Sequence, residues 1–257
     1  MPTMPLAFNK FILFGDSITE YSNNQVGFAL APALQHLYSR KLDIVTRGFS
    51  GYNTDQGRIV LRELLTADNA ASGHIKLMYI FLGTNDAATT FQGVPLHRYA
   101  HNLSQMVKLV ASYGIKVIVV GPGLHDQALC RESWEEQGKP TEEPFSSNET
   151  MRKYADAARA VAAENGVPFV DLWAIFQQYG GWTTAELMAN EADLEDLLAD
   201  GIHYTPRGYE VFYDALVETI VANYPELMPS SLKMNLPYYR DVDYDNVEKS
   251  IMEYIGN

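Results

Sequence analysis

Lys10-Phe11-Ile12-Leu13-Phe14-Gly15-Asp16-Ser17-Ile18-Thr19 sets the terms of the fold: four apolar residues run without a break, stop at a glycine, and give way to small polar side chains. An uninterrupted apolar run suits a strand buried on both faces, as in a parallel sheet covered by helices. Working outward, the same punctuation recurs. Asp43 to Phe49 stops at Ser50-Gly51, Ile75 to Leu82 at Gly83, and Ile115 to Val120 at Gly121-Pro122. Val167 to Leu172 contains Pro168, which predicts a strand start or an edge position because proline cannot donate to a ladder.

Between these runs lie stripes of helical period. Val26, Leu30, Leu34 and Leu37 form the first, and Leu96, Ala100, Leu103, Val107 and Val110 the second. Met151, Tyr154, Ala158 and Val161 form the next, then Tyr209, Phe212, Leu216 and Ile220. Each reads as the core-facing side of a helix. Strand–helix alternation predicts a three-layer α/β/α sandwich with right-handed crossovers. No repeat or linker divides the chain, so residues 1–257 are expected to form one domain. His125 to Ser147 is polar and predicts a long loop above the carboxyl edge of the sheet. The stretch of about 225–257 is rich in Tyr, Asp and Pro and reads as a C-terminal extension. Its stripe Val247, Ile251 and Ile255 must pack on its own globule or on a partner, and a homodimer through this tail is expected.

Composition narrows the function. A chain of 257 residues buries roughly three quarters of the surface it would expose unfolded. The net charge of −13 argues against nucleic acid, whose binding needs clustered Lys and Arg, and against an acidic membrane surface. The single cysteine, Cys130, excludes an internal disulfide and any cysteine-rich metal cluster. The start of the chain lacks a signal-peptide pattern, and no segment approaches the ~20 apolar residues that span a bilayer. A cytoplasmic protein is expected.

In open α/β sheets, ligands bind outside the carboxyl ends of the strands. Three of those ends carry unusual residues: Gly15-Asp16-Ser17-Ile18-Thr19, Gly48-Phe49-Ser50-Gly51-Tyr52-Asn53 and Gly83-Thr84-Asn85-Asp86. A serine after a strand is ordinarily a helix cap. Here small hydrogen-bonding groups converge from three strands on one rim. Near the C-terminus stands Asp200-Gly201-Ile202-His203-Tyr204-Thr205-Pro206. Gly201 reads as a helix stop and Thr205-Pro206 as the cap and first turn of the next helix, placing His203 in a tight connection between helices. With Asp200 three residues back, the carboxylate can accept from Nδ1–H and leave Nε2 free for Ser17. A hydroxyl needs such a base to become nucleophilic, and the base needs an orienting group.

These four stations resemble the GDSL, or SGNH, hydrolase family. Phe14 to Thr19 match its nucleophile motif, Gly51 its glycine station, Gly83-Thr84-Asn85-Asp86 its asparagine motif, and Asp200-Gly201-Ile202-His203 its acid–base motif. The resemblance implies a flavodoxin-like five-stranded parallel sheet ordered 2-1-3-4-5. It also implies catalytic Ser17, Asp200 and His203, with an oxyanion hole made by the backbone N–H groups of Ser17 and Gly51 and the side-chain amide of Asn85. Asp16 and Asp86 are expected to brace loops. Within the family, Lys10 to Glu20, Arg47 to Tyr52, Ile80 to Asp86, Val120 to Leu124 and Tyr239 to Val242 are similar to the isoamyl-acetate-hydrolysing esterases. This implies acetate esters of short alcohols as substrates, with no metal or organic cofactor. Thioesters, lysophospholipids or O-acetylated sugars are alternative substrates, and a silent binding module is the remote one. His97 and His101 have the spacing of a zinc pair but lack the accompanying Glu and a third ligand, so no metal is expected there. The acidic run Glu186, Glu191, Asp193, Glu195 and Asp196 lacks the alternating ligands of a calcium loop and reads as a charged helix face.

Overall fold

Five parallel strands lie in the order β2-β1-β3-β4-β5. They are β1 (Lys10–Gly15), β2 (Asp43–Gly48), β3 (Ile75–Phe81), β4 (Lys116–Val120) and β5 (Phe169–Val170). The computed structural model describes residues 8–66 and 74–256, the side chain of Ile255 excepted. The helices are α1 (Ser17–Glu20), α2 (Leu30–Leu37), α3 (Thr54–Leu64), α4 (Leu96–Ser112) and α5 (Gln127–Glu136). After these come α6 (Asn148–Glu164), α7 (Leu172–Gly180), α8 (Thr184–Ala189), α9 (Pro206–Asn223) and α10 (Val247–Gly256).

Burial explains why the inner strands were so legible. Leu77, Met78, Tyr79, Ile80 and Phe81 of β3 are fully buried, because neighbours cover β3 on both edges and helices cover both faces. Side chains alternate across the pleat. Tyr79 and Phe81 meet Phe212 of α9, and Phe11 meets Tyr38 beyond α2. α3, α4 and α6 pack in a row, while α9 packs on α2 and α7, giving the three layers. The weak strand signals belong to the edges. β2 is only half-buried and carries Thr46 and Arg47, whereas β5 is two residues long and begins after Pro168.

Four sequence expectations need correction. Val26 lies outside α2 and is exposed, since that helix begins at Leu30. His125 to Ser147 is not all loop. It holds α5, whose N-cap Asp126 accepts from the N–H groups of Ala128 and Leu129. The acidic run is not one helix face. Asn190, at φ +56°, closes α8 in the left-handed conformation, leaving Glu191, Asp193, Glu195 and Asp196 in irregular chain. Finally, the connection that carries His203 is not a tight one between helices: it runs from the end of α8 at Ala189 to Pro206, and no helix ends at Gly201. Leu198 and Tyr204 pair as an isolated antiparallel bridge, and the Ala199 N–H donates to the His203 carbonyl at 2.8 Å. Gly201 therefore serves a tight turn rather than a helix end.

The tail docks against the turn between α2 and β2. Arg40 donates to the carbonyls of Leu236 and Pro237 at 3.0 and 2.8 Å, and the Asn235 N–H donates to the Arg40 carbonyl. In α10, Tyr254 reaches the Met234 carbonyl at 3.0 Å. Val247 is exposed and Ile251 half-buried, while the expected third member of that stripe, Ile255, lies outside the described side chains. Among the described residues, no helix is long and apolar enough to cross a membrane.

Candidate functional site

The strand order reverses between β1 and β3, and in such sheets a crevice opens at the carboxyl ends flanking the reversal. Ser17 follows β1 and Asn85 follows β3, so the topology brings them to the same crevice. Ser17 is the first residue of α1; the cap is Asp16, whose carboxylate accepts from the Ile18 N–H at 3.0 Å. That cap frees the Ser17 hydroxyl from capping duty.

The turn after Leu198 carries the histidine to this serine across 186 residues of sequence. His203 Nε2 lies 2.8 Å from Ser17 Oγ, and its Nδ1 lies 2.6 Å from Asp200 Oδ2. The other Asp200 oxygen accepts from the N–H groups of His203 and Ile202 at 2.8 and 3.0 Å. Burial pushes the Asp200 carboxyl up, but its hydrogen bond to His203, that residue's charge and the two N–H groups prevail and hold it below its ordinary range. An ionised carboxylate therefore faces Nδ1, which must carry the proton, leaving the Nε2 lone pair aimed at the hydroxyl. This chain can take the serine proton as the oxygen attacks an electrophile.

Gly51 and Asn85 stand beside it. Gly51 has φ +78°, a conformation that favours glycine, and its peptide follows Ser50, whose N–H and hydroxyl both donate to Glu20 at 2.8 and 2.7 Å. Asn85 donates through Nδ2 to the Tyr52 carbonyl at 2.9 Å. The two neighbouring carboxylates are buried. Asp86 accepts from the Thr54 N–H at 3.1 Å and from its hydroxyl at 2.5 Å, tying the loop after β3 to the start of α3. Desolvation pushes the carboxyls of Asp16 and Asp86 up to about 7 against these hydrogen bonds.

Several contributors carried no sequence signal. The Tyr21 ring packs 4.9 Å from the His203 ring. Gln92 lines the cleft, as do Trp134, Lys139, Phe145 and Ile202. The cleft measures about 330 Å³, and the segment misread as loop supplies its aromatic wall. His125 is wholly buried and holds the Gly201 carbonyl at 2.7 Å from Nδ1. Ile202, inside the acid–base motif, and Glu20, three residues after Ser17, had positions that could have flagged them. His97 and His101 are both solvent-exposed on α4, and neither lines the cleft.

A five-stranded sheet of this order, with a serine, a histidine and an acid meeting at its reversal point, defines an SGNH-type hydrolase fold. The model of the GDSL-like lipase/acylhydrolase family matches residues 13–211, and the chain belongs to that family. It is 39% identical over 249 residues to the isoamyl acetate-hydrolyzing esterase of Saccharomyces cerevisiae, covering 91% of this chain and 95% of that one. It is 34% identical over 255 residues to the isoamyl acetate-hydrolyzing esterase 1 homolog of Homo sapiens, covering 96% and 93%. Among solved structures, the lipase/acylhydrolase from Enterococcus faecalis aligns with a TM-score of 0.58 at 24% identity, covering 88% of this chain and 98% of that one. The acetyl xylan esterase AlAXEase aligns at 0.61 and 19% identity, covering 82% and 99%. At such identities these two structures speak to the fold alone.

Proposed function

We propose that the protein is a serine esterase that hydrolyses short-chain carboxylic esters, acetate esters of small alcohols such as isoamyl acetate, through an acyl-enzyme. The observation that carries the mechanism is the continuous hydrogen-bonded chain Asp200–His203–Ser17 opening into the cleft. His203 Nε2 takes the Ser17 proton as Oγ attacks the ester carbonyl, and the carbonyl oxygen becomes an oxyanion. The N–H groups of Ser17 and Gly51 and the Asn85 amide stabilise that charge. The intermediate collapses as the imidazolium gives its proton to the departing alcohol. Water then loses a proton to Nε2, attacks the acyl-enzyme, and releases the acid as Oγ recovers the proton.

The substrate class is supported by the relatives' activity and by the cleft, whose walls include Trp134, Phe145 and Ile202 at modest volume. The test is a panel of acetate, octanoate and palmitate esters, with a thioester, a lysophospholipid and an acetylated sugar alongside. Ser17→Ala is the control. Acetate esters of small alcohols are expected to turn over best, and Ser17→Ala to lose about 10⁶-fold in kcat. A strong preference for long chains would sink the short-ester reading, undiminished Ser17→Ala activity would sink the mechanism, and a wild type that turns over none of the panel would favour a binding module. Association through the tail is supported by the solvent-facing Val247 and Met252 of α10, and sedimentation at micromolar concentration tests it, a monomer being the adverse result.

A further inference from the structure

The geometry points to Gln92 as the positioning residue that fixes which end of the Asn85 amide faces the reacting oxygen; this rests on the oxyanion reading of Asn85 above. An asparagine amide is nearly symmetric in shape, yet only its NH₂ end can stabilise an oxyanion. Flipped by 180°, it would present Oδ1, an acceptor, to a developing negative charge. Something must forbid the flip.

The constraint begins at a group with a single possible role. The Gly51 carbonyl can only accept, and Gln92 Nε2 lies 2.9 Å from it. The Gln92 amide is therefore oriented with its NH₂ towards Gly51, and its Oε1 faces the Thr90 hydroxyl at 3.4 Å. The same Nε2 carries a second hydrogen, and 3.3 Å away is Asn85 Oδ1. A donor there demands an acceptor, so Asn85 must keep Oδ1 towards Gln92. Its Nδ2 then falls at the Tyr52 carbonyl, another obligate acceptor, at 2.9 Å. One Nδ2 hydrogen is used there, and the second donates to Asp16 Oδ2 across a long 3.5 Å, a weak bond to the residue just before Ser17 that a developing oxyanion can replace. Gln92 is itself held, because the N-cap residue of α3, Asn53, donates from Nδ2 to the Gln92 carbonyl at 2.7 Å. The loop carrying Gln92 is thus clamped to the loop carrying Gly51, and the amide between them has one permitted orientation.

Measuring kcat and KM for a short acetate ester such as 4-nitrophenyl acetate in Gln92→Met, Asn85→Ala and the double variant tests this. Methionine keeps the length of glutamine and removes both donors; Gln92→Glu, which replaces Nε2 with a carboxylate oxygen, serves as a second probe. Thermal midpoints confirm that each variant is folded. Asn85→Ala is expected to lose about 10²–10³-fold in kcat. Gln92→Met and Gln92→Glu are expected to lose about tenfold in kcat with KM within about twofold, because the amide acts on the transition state. In the Asn85→Ala background, Gln92→Met is expected to cost less than about threefold, since there is no amide left to orient. Wild-type kcat in Gln92→Met overturns the inference. So does a raised KM at unchanged kcat, which would make Gln92 a substrate contact, or fully additive losses in the double variant. If Asn85→Ala keeps full turnover while Ser17→Ala does not, the oxyanion reading of Asn85 fails first and takes the inference with it.

Discussion

Asp200 uses its two oxygens for different tasks. Oδ1 takes two backbone N–H groups and so fixes the turn, while Oδ2 takes the imidazole Nδ1. The division gives an asparagine at this position a determined behaviour. Its carbonyl oxygen would settle on the two N–H donors, which need an acceptor, and its NH₂ would face Nδ1. Nδ1 would then have to accept, placing the imidazole proton on Nε2 and leaving no lone pair for Ser17. Asp200→Asn is therefore expected to fold normally, bind ester with a near-normal KM, and lose about 10⁴-fold in kcat. A variant with a large KM change and a small kcat change would show that the carboxylate acts on binding instead. The triad residues were legible because their signals are local: His203 stands three positions after Asp200, and Ser17 follows a strand. Gln92 was not, because a lone glutamine in a loop has no pattern, and its partners lie 41 and 7 residues away.

At the scale of elements, α5 shows how a wall can hide in a polar stretch. Its sequence, Gln127 to Glu136, has one buried residue, Cys130, and half-buried Leu129 and Trp134 packed on the core. That stripe is too short for periodicity to separate it from loop. The Asp126 cap organises it, and Gly201 lets the acid–base turn approach it. A Cβ on Gly201 would lie 2.3 Å from the Asp126 carbonyl oxygen and 2.5 Å from the Cys130 nitrogen. Asp126→Ala removes the acceptor of two N–H groups and is expected to cost about 1 kcal/mol, a fall in Tm of about 2–4 °C. Because Trp134 stands on this helix and lines the cleft, KM for short esters is expected to rise more than kcat falls. An unchanged KM in a measurably destabilised variant would detach the wall from substrate binding. The strands were read well in the middle of the sheet and poorly at its edges, where β2 faces solvent and β5 is short.

At the scale of the whole molecule, His125 links segments far apart in sequence and makes stability depend on pH. Its backbone N–H donates to Asn148 Oδ1 at 2.8 Å, its Nδ1 meets the Gly201 carbonyl, and its ring packs 5.7 Å from that of Phe145. Desolvation drives its pKa from 6.5 down to about 4. The folded chain thus binds fewer protons than the unfolded chain between these values, so stability falls as pH drops through that window and is unaffected above it. At pH 5 the penalty is about 2 kcal/mol. Asp16 and Asp86, raised to about 7 by burial, act with the opposite sign, binding protons more readily when folded. They are common to both proteins when His125→Gln is compared with the parent. His125→Gln, which can still donate to the Gly201 carbonyl, is expected to lose about 2 kcal/mol less stability than the parent between pH 7 and pH 5 by denaturant titration at each pH. Parallel pH profiles would show that the imidazole charges without cost.

The amino-acid sequence by itself determined the alternation of strands and helices, the sheet's inner strands, and the four stations at the strand ends and the acid–base turn. Each of these is written in residues a few positions apart, where hydrophobic period and steric punctuation operate directly. Only the tertiary structure decided that Gln92 orients Asn85, that His125 steadies the turn at Gly201, that α5 walls the cleft, and that Val26 stays in solvent. Those outcomes depend on contacts across tens of residues, and a hydrogen-bond donor acquires its partner only when folding has brought the two loops together.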